Sequence, residues 1–173
     1  MTAPARRIST ALLVVSDRAA AGTRPDATAD LLRPVLDAAG FDLLEVVVVP
    51  DEAPQIGAAL RSRLGRFGLL LTTGGTGVAP RDVTPEGTRR VLEKEVPGLT
   101  EEIRRRSAAT NPKALGSRAV AGTAGGSLIL NLPGRPQGAV EAFSFVSGVL
   151  GHLVDLLRGP VADVSHAPPP SGP

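Results

Sequence analysis

The sequence predicts an α/β fold: a mostly parallel sheet with helices on both faces and an antiparallel hairpin towards its end. Three observations carry that reading. Short apolar runs rich in β-branched residues alternate with stretches of helical periodicity. Polar clusters bearing glycine or proline separate them, as in repeating βα units. The 173-residue chain, 42% hydrophobic and 21% charged, suffices for one core and is short for two.

Residues 12–16 (LLVVS) read as a strand and residues 28–39 as a helix, with Leu31, Leu32, Val35 and Leu36 at helical spacing. Asp26 or Thr28 is the candidate cap, Gly40 closes the helix, and Pro34 should kink it or limit its first half. Residues 46–49, apolar throughout, read as a buried strand, and Ile56, Leu60 and Leu64 mark the next helix. Residues 68–72 (GLLLT) form a third strand; Thr84-Pro85 then supplies N-cap and first-turn chemistry for a helix through Leu92. Residues 97–107 read as another helix. Residues 118–122 and 127–132 flank Thr123-Ala124-Gly125-Gly126 as the two arms of the hairpin. Residues 139–157 predict a long helix with Ala139, Ala142, Val146, Val149, Leu153 and Leu156 in one stripe. Val140, Phe143, Phe145 and Leu150 lie beyond that stripe and predict an apolar surface for a homo-oligomer. The domain is expected to cover residues 1–160, and residues 161–173, rich in Pro, Ala and Ser, to be a disordered tail.

Composition narrows the function. With no cysteine, disulfides, thiol catalysis and zinc–thiolate sites are excluded, and a metal would be held by oxygen or by the two histidines. His152 and His166 attract no role. Net charge is only +2 and the aromatics are four Phe, so neither a basic patch nor a base-stacking platform for nucleic acid is expected. No run approaches 18 consecutive apolar residues, and Arg6 and Arg7 precede no secretory apolar region; the expected location is the cytoplasm, with no membrane partner.

Four polar clusters each follow an expected strand: Ser16-Asp17-Arg18, Pro50-Asp51-Glu52, Thr73-Gly74-Gly75-Thr76-Gly77 leading to Arg81-Asp82, and Asn131-Leu132-Pro133-Gly134. In an open α/β sheet such loops converge in a crevice at the carboxyl ends of the strands. The glycine-rich segment offers backbone amides to an anion, or is simply a tight turn requiring positive φ. It is not a Walker loop, since Val78-Ala79 stand where Lys and Ser or Thr are needed. Asp51 and Asp82 are the candidate magnesium ligands; alternatively Asp51 caps a helix before Pro54, and Asp82 pairs with Arg81 or caps the following helix. Ser16 and Asp17 serve as binding residues or as turn formers. Arg104 to Arg106 form a solvated helix face or line the path of a polyanion.

These motifs also carry a resemblance. TTGGTGVAPRDVTPE (residues 72–86) is similar to the signature of the MogA/MoaB family of molybdenum-cofactor biosynthesis proteins, which includes the G domain of gephyrin. VVSDRAAAG (14–22), VVPDE (48–52), LGSRAVAG (115–122) and LILNLPGRP (128–136) follow in the family's order, over most of residues 11–159. The resemblance implies a three-layer α/β sandwich, usually trimeric, that binds molybdopterin and Mg-ATP and makes adenylylated molybdopterin with release of pyrophosphate. Asp51 and Asp82 fall on the acidic residues associated with metal and catalysis. Ser16, Asp17, Thr73, Gly74, Gly75, Thr76, Gly77, Ser117, Asn131, Pro133 and Gly134 fall on the substrate- and nucleotide-binding segments. A MoeA-type molybdenum-inserting enzyme is the implied downstream partner. The rival within the family is a MoaB-like protein or scaffold that binds the pterin without transferring AMP. Gly87 departs from the pattern, standing where the family commonly has Ala.

Overall fold

The structure, a computed structural model, describes residues 7–23 and 27–159. Its six-stranded sheet has the order β2-β1-β3-β6-β5-β4. The apolar β1 (Ile8–Val15) lies between β2 (Phe41–Val49) and β3 (Leu69–Thr73), parallel to both, and β6 (Ser127–Leu132) is parallel to β3. On the far side of β6 lies β5 (Ala121–Ala124), which precedes it in the chain and runs antiparallel to it, and β4 (Lys94–Glu95) pairs antiparallel to β5. β1, β3 and β6 carry runs such as ALLVV, LLL and LIL because parallel strands covered on both faces have no polar side to offer.

Alternate side chains of these strands feed two apolar layers. Ile8, Leu12, Val14, Leu69, Leu71, Leu128 and Leu130 pack with α2 (Thr28–Ala38), α5 (Pro97–Thr110) and α6 (Pro136–Leu157). Ala11, Leu13, Val15, Leu70 and Ile129 pack on the other face with α3 (Ala53–Arg61), and Val91, just past α4 (Thr84–Arg89), joins them. The result is helix, sheet, helix, the expected three layers. α3 and α4 cross closely because both present glycine: a Cβ on Gly57 would lie 3.2 Å from the Gly87 carbonyl, and one on Gly87 would lie 2.7 Å from Ile56 Cβ.

Several expectations are corrected. β2 begins at Phe41, five residues before the expected start, and is an edge strand. Past a register shift opposite Thr10 and Ala11, Val47 and Val49 face the α3 layer, whereas Val46 and Val48 remain 39% and 46% exposed. In α6, Phe143 and Leu150 are fully buried, while Val149 and Leu156 face solvent, so the core stripe is rotated from the one read off the sequence. Phe143 and Leu150 therefore drop out of the apolar α6 surface expected for an oligomer, while Val140 and Phe145 are only partly buried. α6 is long and apolar enough to cross a membrane by length and composition; its burial of Ala139, Ala142, Phe143, Val146, Leu150 and Val154 against the sheet accounts for that character.

The hairpin turns tightly at Gly125-Gly126, with φ of 53° and 79°, as a two-residue primed turn requires, so Thr123 and Ala124 belong to β5. α2 continues through Pro34, whose missing N–H would have bonded at the exposed Asp30. Its N-cap is Ala27, with Thr28 the first helical residue; Asp26 and His166, like the expected 161–173 tail, lie outside the described residues. Likewise Val83, not Thr84, caps α4. Three elements were not expected: the two-residue β4, the four-residue α1 (Asp17–Ala20) and a short 3-10 helix over Pro112–Gly116.

Candidate active site

The loops after β1, β2, β3 and β6 meet where the strand order reverses between β1 and β3, the place an open α/β sheet offers to ligands. Glycine permits the approach. Gly74 and Gly75 have φ of 93° and 62°; a Cβ on Gly74 would collide with the Val15 carbonyl, and one on Gly75 would overlap the Thr84 hydroxyl and lie 3.0 Å from Asp51 Oδ1. Gly134 closes the ring, since its own Cβ would lie 3.0 Å from Gly74 Cα. Residues from four separate parts of the chain thus share one crevice.

Asp17 and Asp51 bind each other through their backbones. The Asp17 amide donates to Asp51 Oδ2 at 2.9 Å and the Asp51 amide donates to Asp17 Oδ1 at 3.0 Å. The guanidinium of Arg81 then grips both Asp17 oxygens, at 2.7 to 3.0 Å. Asp17 is therefore a structural clasp. Arg81, and secondarily the Asp51 amide, hold its carboxyl below the usual range. Asp51 is the opposite case: burial above all, and then the charges of Asp17 and Asp82, push its carboxyl above the usual range, against the pull of the Asp17 amide and Arg81. Ser16 Oγ accepts the Ala19 amide and so caps α1.

Asp82 neither pairs with Arg81 nor caps α4; its Oδ2 accepts the Ala79 amide at 2.9 Å, closing the turn that precedes it. Asp51 does not cap α3 either, whose N-cap is Glu52. Each aspartate keeps its Oδ1 without a hydrogen-bond partner among the described residues. The hydroxyls of Thr84, beside Gly75, and of Thr73, at the end of β3, are buried without a hydrogen-bond partner among the described residues. This oxygen-rich, under-neutralised corner suits a hard divalent cation that takes one or two carboxylates and completes its shell with water and phosphate. Among the described residues no group of three or more acidic or histidine side chains is arranged as a closed metal cage.

Asn131 is fully buried and bonds within the protein. Its amide donates to the Thr72 and Thr88 hydroxyls at 2.8 and 2.9 Å, and its Oδ1 accepts the Val120 amide at 3.1 Å. It fixes β3, α4 and the approach to β5 around the loop that carries Pro133 and Gly134. Thr76, Ser117 and Pro133 border a cavity of about 180 Å³ whose rim also holds Arg104, Lys113, Arg135 and Glu141. Arg105 and Arg106 pair with Glu102 on the solvated side of α5, so only Arg104 of that run reaches the cavity. His152 is exposed.

Sequence reasoning missed Arg118. Its Nε donates to the Gly77 carbonyl at 2.7 Å, a terminal nitrogen donates to the Asp82 carbonyl at 2.5 Å, and the guanidinium pairs with Glu86. The available signal is its place in LGSRAVAG, next to Ser117.

Residues 11–152 match the family model described as a probable molybdopterin-binding domain. The molybdopterin adenylyltransferase of Haemophilus influenzae is 42% identical over 147 residues, covering 83% of this chain and 75% of that protein. The Drosophila melanogaster molybdenum cofactor synthesis protein cinnamon is 40% identical over 90% of this chain, which spans only 26% of the fly protein's length. The crystal structure of the molybdopterin biosynthesis enzyme MoaB from Thermus thermophilus superposes with a TM-score of 0.83 at 45% identity, covering 88% of this chain and 98% of that one.

Proposed function

Because the chain belongs to the family of probable molybdopterin-binding domains, we propose that it is a molybdopterin adenylyltransferase, moving AMP from ATP to molybdopterin and releasing pyrophosphate. The observation that carries the reading is the meeting of Asp51 and Asp82 with the Gly74 to Gly77 loop in one crevice. Relatives named for this activity support it.

In the proposed reaction an oxygen of the pterin's phosphate attacks the α-phosphorus of ATP while the bond to the bridging oxygen of the β-phosphate breaks. A phosphate monoester is already ionised at neutral pH, so the site has no need of a strong base. The protein's task is to align two polyanions and to offset their charge. Glycine-loop amides orient phosphate oxygens, and Lys113 and Arg135, which make no ion pair among the described residues, add positive charge at the adjoining cavity. Asp51 and Asp82 would hold Mg2+, which when bound neutralises charge growing on the α-phosphate and the leaving pyrophosphate. Asp17, Arg81 and Asn131 keep the loops in place.

The same reading takes the protein to be a cytoplasmic homotrimer that passes its product to a MoeA-type molybdenum-inserting enzyme. Exposed apolar residues support self-association: Val46 and Val48 share a face of the edge strand β2, Leu44 precedes them, and Leu31 projects from the neighbouring α2. A MoaB-like protein that binds the pterin without transfer is the alternative. Purified protein given molybdopterin and Mg-ATP separates the two readings by whether it releases pyrophosphate.

A further inference from the structure

We propose that Arg118 is a positioning residue for this transfer, holding the Gly77 to Asp82 loop so that the Asp82 carboxylate stands where the phosphates require it. The inference rests on the adenylyl-transfer reading of the site and adds a residue that the reading does not contain.

Apart from the Arg81 side chain, which ties the end of the loop to Asp17, the loop has little else to fix it. Val78 is 79% exposed, Ala79 and Pro80 are exposed, and the internal bond from the Ala79 amide to Asp82 Oδ2 shapes the turn without anchoring it. Arg118 supplies the anchor at both ends. Nε bonds the Gly77 carbonyl where the loop leaves the glycine-rich turn, and the terminal nitrogen bonds the Asp82 carbonyl where the loop enters α4. Glu86, in the first turn of α4, pairs with the guanidinium, and the Arg118 amide donates to the Thr76 carbonyl at 2.8 Å just upstream. A planar guanidinium can address three acceptors in fixed directions; an ammonium on a flexible stem cannot. Arg118 belongs to neither apolar layer. Losing it should therefore loosen the loop far more than the fold.

The test uses Arg118→Gln and Arg118→Lys, with Asp82→Asn alone and combined with Arg118→Gln. Hydrogen exchange should accelerate by about tenfold or more at the amides of residues 77–84 in Arg118→Gln while β1 and β3 stay protected. Turnover should fall by roughly a hundredfold, as for a misplaced reacting group, with KM for ATP little changed and the magnesium requirement raised. Arg118→Lys should fall between and decides the matter if Arg118→Gln does not fold. In the Asp82→Asn background, Arg118→Gln should cost almost nothing further. Wild-type exchange in residues 77–84 for the variants would overturn the proposal, as would an equal rate loss with and without Asp82. If the unmodified protein releases no pyrophosphate, the adenylyl-transfer reading falls, and the exchange result still decides whether Arg118 holds the loop.

Discussion

The carboxylates of Asp17 and Asp51 each accept the other's backbone amide, at 3.0 and 2.9 Å, so the loops after the first two strands are tied by the acids that line the crevice. The symmetry of the bonds hides an asymmetry of charge. Arg81 neutralises Asp17, whereas Asp51 is left partly buried with its carboxyl pushed above the usual range by burial, an arrangement that costs electrostatic energy in the folded state.

Asp51→Asn should accordingly unfold at the same temperature as the unmodified protein or higher, without magnesium at pH 8. The sign follows from the raised folded-state pKa: above it Asp51 is charged in both states and only the folded state bears the penalty, while below it the penalty disappears. The advantage of Asn should shrink as pH falls through the Asp51 pKa. Asn can still accept the Asp17 amide. Paired thermal melts at pH 8 and near pH 4 check this, and a marked destabilisation at pH 8 would contradict it.

Asn131→Ala should cost about 3 kcal/mol, because it orphans the Val120 amide and strips the Thr72 and Thr88 hydroxyls of their partner. Turnover per folded molecule should change far less than for Asp82→Asn. Denaturant titration alongside an activity assay separates this structural part from direct ligand contact.

Gly87→Ala should lower stability by about 1–3 kcal/mol through overpacking, since the new methyl would meet Ile56 and the Ala53 carbonyl, 3.0 Å away. The expected reading is a loss of several degrees in Tm. An unchanged Tm would show that α3 and α4 can separate without cost.

Val48→Lys should convert a homo-oligomer to monomer without unfolding it, because Val48 is 46% exposed on an edge strand and leaves the core intact when changed. Light scattering of the two proteins at equal concentration measures the change.

The crevice was legible because each loop announces itself locally: a polar cluster follows an apolar run, and strand topology does the rest. The rotation of α6 was not, since Phe143 and Val149 are both plausible core residues until the tilt of the helix against the sheet chooses between them. Residues 46–49 misled for a related reason. A continuous apolar run marks a strand covered on both faces, but it does not distinguish coverage by the chain's own helices from a face left open. The contacts of Arg118 were not legible beyond its place in LGSRAVAG, because its acceptors are carbonyls and Glu86, 32 or more residues away; side-chain type reveals nothing of such bonds.

Pyrophosphate release by the unmodified protein and by Asp82→Asn, with molybdopterin and ATP at limiting magnesium, tests the central claim most directly. Asn keeps the size of Asp82 and can keep the bond from the Ala79 amide, so only the charge is removed. The account predicts magnesium-dependent release by the unmodified protein and a fall of at least about a hundredfold in Asp82→Asn, corresponding to the loss of roughly 3 kcal/mol of transition-state stabilisation. Equal rates in the two proteins, or no release from either, would contradict it.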